Sequence, residues 1–176
     1  MRFDWTQYTP TDRAVLCFLQ HTTQKSGGRT VLLIEKLRGL GAGKINGPGG
    51  KLEANETPYQ AAVRETTEEV GLTPQNPIMR GTLRFVFADG YHLEVSVFTA
   101  TEWSGTMIST PEAIPFWVKE AEIPYRDMWA DDRLWLPRVL TGQTVDAWMT
   151  FDDDTMTSWN VVFSDGSRIN GSLSEP

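Results

Sequence analysis

Cysteine, basic charge and long apolar runs are all scarce in this chain, and each scarcity narrows what it can be. Cys17 is the only cysteine among 176 residues, so no disulfide can form within the chain. Its place in the apolar run "AVLCFL" predicts a buried structural thiol. Lysine and arginine number 16 against 23 acidic residues, a formal net charge of −7, and the pI is near 4.8. A polynucleotide binder carries a basic face, so the balance argues against long DNA or RNA as a partner. Free nucleotides stay open, because a divalent cation can bridge an acidic protein and an acidic ligand. Apolar runs such as "VLLI" are far too short to span a membrane, and "MRFDWTQYTPTDR" contains no apolar signal core. These features predict a cytoplasmic protein with no membrane partner, acting as a monomer.

What is present reads as one domain over residues 1–176, with 40% apolar residues and no internal repeat or linker. Residues 13–20 and 30–36 read as strands joined by a polar turn at Ser26-Gly27-Gly28. The glycine-rich "RGLGAGKINGPGGK" follows, a loop in which backbone can approach a ligand closely. Residues 58–70 read as a helix. Strands are expected at 81–88, 91–99 and 114–118, with Asp89-Gly90 as a hairpin turn between the first two. "DDRLWLPRVLTG" predicts a second helix containing Pro137, and "VDAWMTF" with "SWNVVFSD" a closing hairpin around "DDDT". A polar tail is expected over residues 166–176. Strands interrupted by two helices predict a mixed sheet with helices packed on it, an α/β (α+β) fold.

The first helix carries the densest chemistry. Thr57 suits the N-cap, Pro58 the first turn, Gln60 completes a capping box, and Gly71 suits the C-terminal stop. Its 3.6-residue period puts Tyr59, Ala62, Val63, Thr66 and Val70 on a core-facing arc. Glu65, Glu68 and Glu69 fall on an adjacent arc by the i, i+3, i+4 rule. On an arbitrary helix such a trio is a solvated acidic face. Here no lysine is spaced to neutralise it, and a glycine-rich loop feeds directly into the helix. Oxygen-only ligands favour a hard cation, Mg²⁺ or Mn²⁺, and a phosphate-handling metal site is the sharper reading.

Gly50, Glu56, Arg64, Glu65, Glu68, Glu69, Gly71 and Leu72 match the Nudix box, G-x5-E-x7-R-E-U-x-E-E-x-G-U, over residues 50–72, with Thr66 the one departure from a bulky aliphatic U. The chain thus resembles the Nudix hydrolases. That resemblance implies an α/β/α sandwich around a mixed central sheet and metal-dependent hydrolysis of a nucleoside diphosphate linked to another group. It implies metal ligands at Glu65, Glu68 and Glu69 with the Gly49 carbonyl, and Arg64 orienting the glutamates. Glu56 either supports the loop or reaches the metal.

Beyond the box, "RGLGAGKINGPGGK" and "IPYRDMWADDRLWLP" resemble the branch of the family that hydrolyses oxidised purine nucleoside triphosphates. The implied reaction gives the monophosphate and pyrophosphate, with 8-oxo-dGTP the leading substrate and 2-hydroxy-dATP and O6-methyl-dGTP further candidates. The resemblance implies that Asn46, Asp131 and Asp132 read the base edge and that Trp129 stacks on the purine. Physically, two carboxylates in an apolar pocket cannot both stay charged, so one becomes a donor beside an acceptor. Without the resemblance, a helix cap and a core tryptophan would be the simpler account. Lys36, Pro48, Gly49, Gly50, Lys51 and Phe85 are further expected substrate contacts, with Pro48 standing where relatives carry an aromatic. Glu112 matches a loop glutamate near the metal, and either Glu65 or Glu112 is the general base. Hydrolysis of ordinary dNTPs or dinucleoside polyphosphates, and a silent nucleotide sensor, are the alternatives.

Overall fold

The computed structural model describes residues 3–22 and 28–173. Twelve strands and two helices follow one another in it: β1 (Asp12–Thr22), β2 (Arg29–Lys36), β3 (Ile45–Asn46), β4 (Gly49–Lys51), α1 (Pro58–Val70), β5 (Leu72–Gln75), β6 (Ile78–Phe87), β7 (His92–Ala100), β8 (Glu102–Gly105), β9 (Ala113–Lys119), α2 (Asp132–Leu140), β10 (Val145–Asp152), β11 (Thr155–Phe163) and β12 (Arg168–Ser172). The sheet runs β12-β11-β10-β6-β7-β1-β2-β3, with β4 also on β1 and β9 also on β2. It is mixed: β1 lies parallel to β7, and β10 parallel to β6, while the other pairs in it are antiparallel. β5 and β8 form a separate two-stranded ribbon.

The side-chain period of two on the central strands sorts residues into two cores. From β1 and β2, Val15, Cys17, Leu19, Leu32 and Ile34 point to one face, where Ala61, Ala62 and Val70 of α1 cover them. Phe18, Val31 and Leu33 point to the other, against Trp135, Leu136, Val139 and Leu140 of α2. A helix on each face makes this an α/β/α sandwich. Central strands buried on both sides read as continuous apolar runs for that reason. Among the described residues no helix is long and apolar enough to cross a membrane.

α1 starts on the Thr57–Gln60 capping box and stops at Gly71 in the left-handed conformation. Its buried arc is rotated from the expected one: Tyr59 is exposed, while Ala61 and Glu69 are buried. Glu69 of the carboxylate arc therefore faces inward, where it has partners, while Glu68 stays exposed. α2 keeps Pro137 inside it. Residues 168–172, expected in a polar tail, instead pair with β11 as an edge strand. Ser26 and Gly27 of the expected turn, and the last residues of the tail, lie outside the described residues.

The β10–β11 hairpin joins the sheet through β6, where the register shifts between Met79 and Gly81. Gly81 has φ 138°, and a Cβ there would lie 1.7 Å from the Val145 carbonyl oxygen. Gly81→Ala should therefore destabilise the protein by about 2–4 kcal/mol. Urea unfolding reads it, and an unmoved midpoint would show that this junction yields without cost.

Candidate active site

The segment between β4 and α1 folds back on the helix because Arg64 holds it. Arg64 Nε and Nη2 donate to Glu56 at 2.8 and 2.7 Å, and Nη2 also donates to the Lys51 carbonyl at 3.1 Å. Nη1 donates to Glu65 at 2.9 Å and Glu68 at 3.2 Å. The guanidinium hydrogen bonds keep Glu56 below the ordinary carboxylate range. Arg64 is thus a clamp behind the cavity, aiming Glu65 into it. Glu56 supports the loop, its Oε2 also accepting from the Glu53 N–H at 2.9 Å.

Glu69 lies on the floor, 2% exposed. Its Oε2 accepts from the Gly49 N–H at 2.9 Å, and Lys36 Nζ stands 3.6 Å from Oε1. Desolvation raises its pKa, with the Gly49 hydrogen bond and Lys36 opposing that rise. Glu65 presses against Gly50, where a Cβ would come within 2.4 Å of its carboxylate, so only glycine fits the strand here. Glu112 sits at the rim in an ion pair with Arg38. Glu68 is largely exposed and lies outside the cavity lining.

As they stand, no three acidic side chains among the described residues are gathered to hold a cation. Arg64, Lys36, Arg38 and the Gly49 N–H hold them instead. The donor set still fits a hard divalent ion: it is all oxygen, and Glu69 is a buried carboxylate facing one lysine at longer than hydrogen-bond distance.

The glutamates line one end of a cavity of about 420 Å³. Leu83, Phe85, Phe87, Trp129 and Trp135 wall the other end, with Asn46, Asp131 and Asp132 among them. Asp131 caps nothing: its Oδ2 accepts from Trp135 Nε1 at 2.8 Å, and Oδ1 is buried without a partner. Asp132 Oδ2 accepts from the Trp129 N–H at 3.1 Å. Desolvation first of all pushes Asp131 up to about 6, and it pushes Asp132 well up with the Asp131 charge adding to it. The pair retains a proton that exposed aspartates would have lost. Trp129 is fixed edge-to-face by Phe87 and Phe151, with ring centroids at 6.3 and 5.6 Å.

Of the residues singled out from sequence, Lys36, Asn46, Gly49, Gly50, Lys51, Glu65, Glu69, Phe85, Glu112, Trp129, Asp131 and Asp132 line this one cavity. Pro48 does not. It is buried, and its carbonyl accepts from the Cys17 N–H at 2.8 Å. Lys51 Nζ is held at 2.6 Å by Asp12, which also accepts from Tyr91 at 2.9 Å. Sequence reasoning missed Arg38, Tyr91 and Trp135. Trp135 had a usable signal, its i+4 spacing from Asp131 on the second helix.

The NUDIX domain family matches the chain over residues 10–139. An oxidized purine nucleoside triphosphate hydrolase of Mus musculus is 37% identical over 133 residues, covering 74% of this chain and 85% of that one. One from Danio rerio is 44% identical over 111 residues, covering 62% and 71%. Among solved structures, a mutator MutT protein from Bacillus halodurans superposes with a TM-score of 0.73 at 27% identity, over 85% of this chain and 97% of that one.

The aspartate pair makes stability depend on pH in a definite direction. The folded pair binds a proton more tightly than the unfolded chain does, so its stabilising share is complete below about pH 4. That share is lost as pH rises through about 6. Asp132→Asn removes an acid from the site while keeping its shape. Relative to wild type its stability should rise between pH 4 and pH 8. Urea unfolding at the two pH values measures this, and a difference that does not change with pH would show that the pair ionises normally.

Proposed function

The chain belongs to the NUDIX domain family, and we propose that it hydrolyses oxidised purine nucleoside triphosphates to the monophosphate and pyrophosphate, with 8-oxo-dGTP as the leading substrate. The reaction would remove damaged precursors from the nucleotide pool. One observation carries this reading: a proton-retaining aspartate pair and a buried glutamate line the same cavity. A purine edge fits one end of that cavity and a charged phosphate chain, with its counter-ion, the other.

At the base end, the protonated member of the Asp131–Asp132 pair donates and its partner accepts, while the Asn46 amide offers both functions. A proton shared between the two carboxylates can be rearranged to suit 8-oxoguanine, 2-hydroxyadenine or O6-methylguanine. Trp129 provides the stacking face, worth about 1–3 kcal/mol for a base, and Phe85 closes the wall beside it.

At the phosphate end, family members in general need a divalent metal, and Mg²⁺, with Mn²⁺ as a substitute, is the ion proposed here. Glu65, Glu68, Glu69, Glu112 and the Gly49 carbonyl would hold it. When bound, such an ion polarises a phosphoryl oxygen and lowers the pKa of the attacking water. Arg64 donates to Glu65 and Glu68 and so fixes their aim. Lys36 and Arg38 hold Glu69 and Glu112 in the absence of the ion, and both cations line the cavity where a triphosphate would lie. The proton of the attacking water passes to Glu65 or Glu112, both of which line the cavity. Lys51 and the Gly49–Gly50 backbone border the same end.

Two measurements test the reading. Glu69→Gln removes a buried charged ligand without changing size, so Mg²⁺-dependent hydrolysis should fall by at least about 100-fold. Wild-type turnover in excess chelator, or in Glu69→Gln, would sink the metal assignment. The second is kcat/KM for 8-oxo-dGTP, 2-hydroxy-dATP and dGTP in wild type, Trp129→Ala and Asp131→Asn. Trp129→Ala should weaken all three together, and Asp131→Asn should re-rank them, because it fixes donor and acceptor. Equal losses across the three in Asp131→Asn would show that the pair does not read the base. No hydrolysis of any of them by wild type would leave hydrolysis of another nucleotide, such as a dinucleoside polyphosphate, or a nucleotide sensor.

A further inference from the structure

The turn of the β10–β11 hairpin, in the acidic run Asp152-Asp153-Asp154, meets the glycine-rich loop on top of Trp129. Lys44, the last residue of that loop, places its Nζ 2.8 Å from Asp154 Oδ2 and 5.0 Å from the centroid of the Trp129 ring. Gly41 closes the indole's edge, since a Cβ there would lie 2.9 Å from Nε1. The loop is pinned at its base: Lys36 N–H donates to the Lys44 carbonyl at 3.0 Å, and Gly43 N–H to the Lys36 carbonyl at 2.8 Å. The hairpin is pinned too, with the Ala88 N–H donating to the Phe151 carbonyl at 2.9 Å. It lies beyond the residues that the NUDIX family matches. Three segments far apart in the chain therefore converge on one aromatic ring.

We propose that Lys44 is a positioning residue for base binding, held over the indole of Trp129 by Asp154, so that the two together fix the stacking face and latch the glycine-rich loop to the C-terminal hairpin. This rests on the reading of Trp129 as the stacking surface. The ammonium covers one face of the indole, so a purine can stack only on the other. Lys44 does not line the cavity and reaches the substrate only through the ring. The Asp154 side chain is 63% exposed, and an ion pair so open to water adds little to global stability. What it does is local. With Lys44 freed from Asp154, the indole and the loop would lose their common anchor.

The experiment is steady-state hydrolysis of 8-oxo-dGTP by Lys44→Met, Lys44→Arg, Asp154→Asn and the double variant Lys44→Met/Asp154→Asn, with amide exchange of residues 39–43 followed in the substrate-free proteins. Lys44→Met should raise KM about five-fold, the size of one partly exposed cation–π contact, and Asp154→Asn about two-fold. In each case kcat stays within about two-fold. Lys44→Arg, which keeps cation and ion pair, should retain the wild-type KM. The double variant should match Lys44→Met, because Asp154 acts through Lys44. Loop amides should exchange faster in Lys44→Met and in Asp154→Asn. An unchanged KM in Lys44→Met, losses that simply add in the double variant, or unmoved loop exchange would each overturn the assignment. If wild type hydrolysed no oxidised purine triphosphate, the functional reading would fall, and loop exchange would still decide the latch.

Discussion

A carboxylate almost cut off from water is the constraint around which the site is arranged. Burying the charge of Glu69 is costly unless it is paired and hydrogen-bonded. The chain meets that need from two directions, the Gly49 N–H of β4 and Lys36 of β2. The backbone carbonyl of Glu69 accepts from the Thr110 hydroxyl at 3.0 Å. Thr110 in turn accepts from the Glu112 N–H at 3.3 Å. One residue thus sets the height of α1 against the sheet, the place of the β4 backbone and the approach of the loop that carries Glu112. Its remaining shortage of positive charge is what makes this end of the cavity suited to a cation.

The two ends of the cavity handle charge in opposite ways. At the glutamate end, the carboxylates are held by a guanidinium clamp and two further cations. At the aspartate end, apolar walls let the carboxylate pair retain a proton, and among the described residues no arginine or lysine pairs with either aspartate. The same functional group is thereby paired with cations at one end of the cavity and shielded by apolar walls at the other. The difference comes from what surrounds each carboxylate, not from the carboxylate itself.

The sheet topology explains why the site draws on so much of the chain. Crossing β1 and β2 between two helices gives two cores, and the cavity opens where the glycine-rich loop leaves β2 and the β4 backbone crosses β1. β6 and β7 then extend the same wall, and the C-terminal hairpin sets Phe151 against Trp129 and Asp154 against Lys44 behind it.

Much of the helix was legible in the sequence. The capping box, Gly71 and the glutamate spacing are local features, and local hydrogen-bond geometry reads directly from residue order. The box motif identified the family because its fixed positions lie within one turn-and-helix unit. The direction in which α1 faces was not legible. Apolar periodicity pointed to Tyr59 and Val63, whereas tertiary partners for Glu69 turned the helix so that Ala61 and Glu69 are buried. Lys36 opposite Glu69, Arg38 on Glu112 and Lys44 on Asp154 are contacts across long loops, and no spacing rule relates their sequence positions. Protonation of the aspartate pair follows the same division. Their adjacency is in the sequence, but only burial among Trp129, Trp135 and Leu83 makes the low-dielectric surroundings that hold the proton. Covalent order determined which chemistry the chain carries, and the folded environment decided the charge state and aim of each group, because desolvation and pairing exist only once distant segments meet.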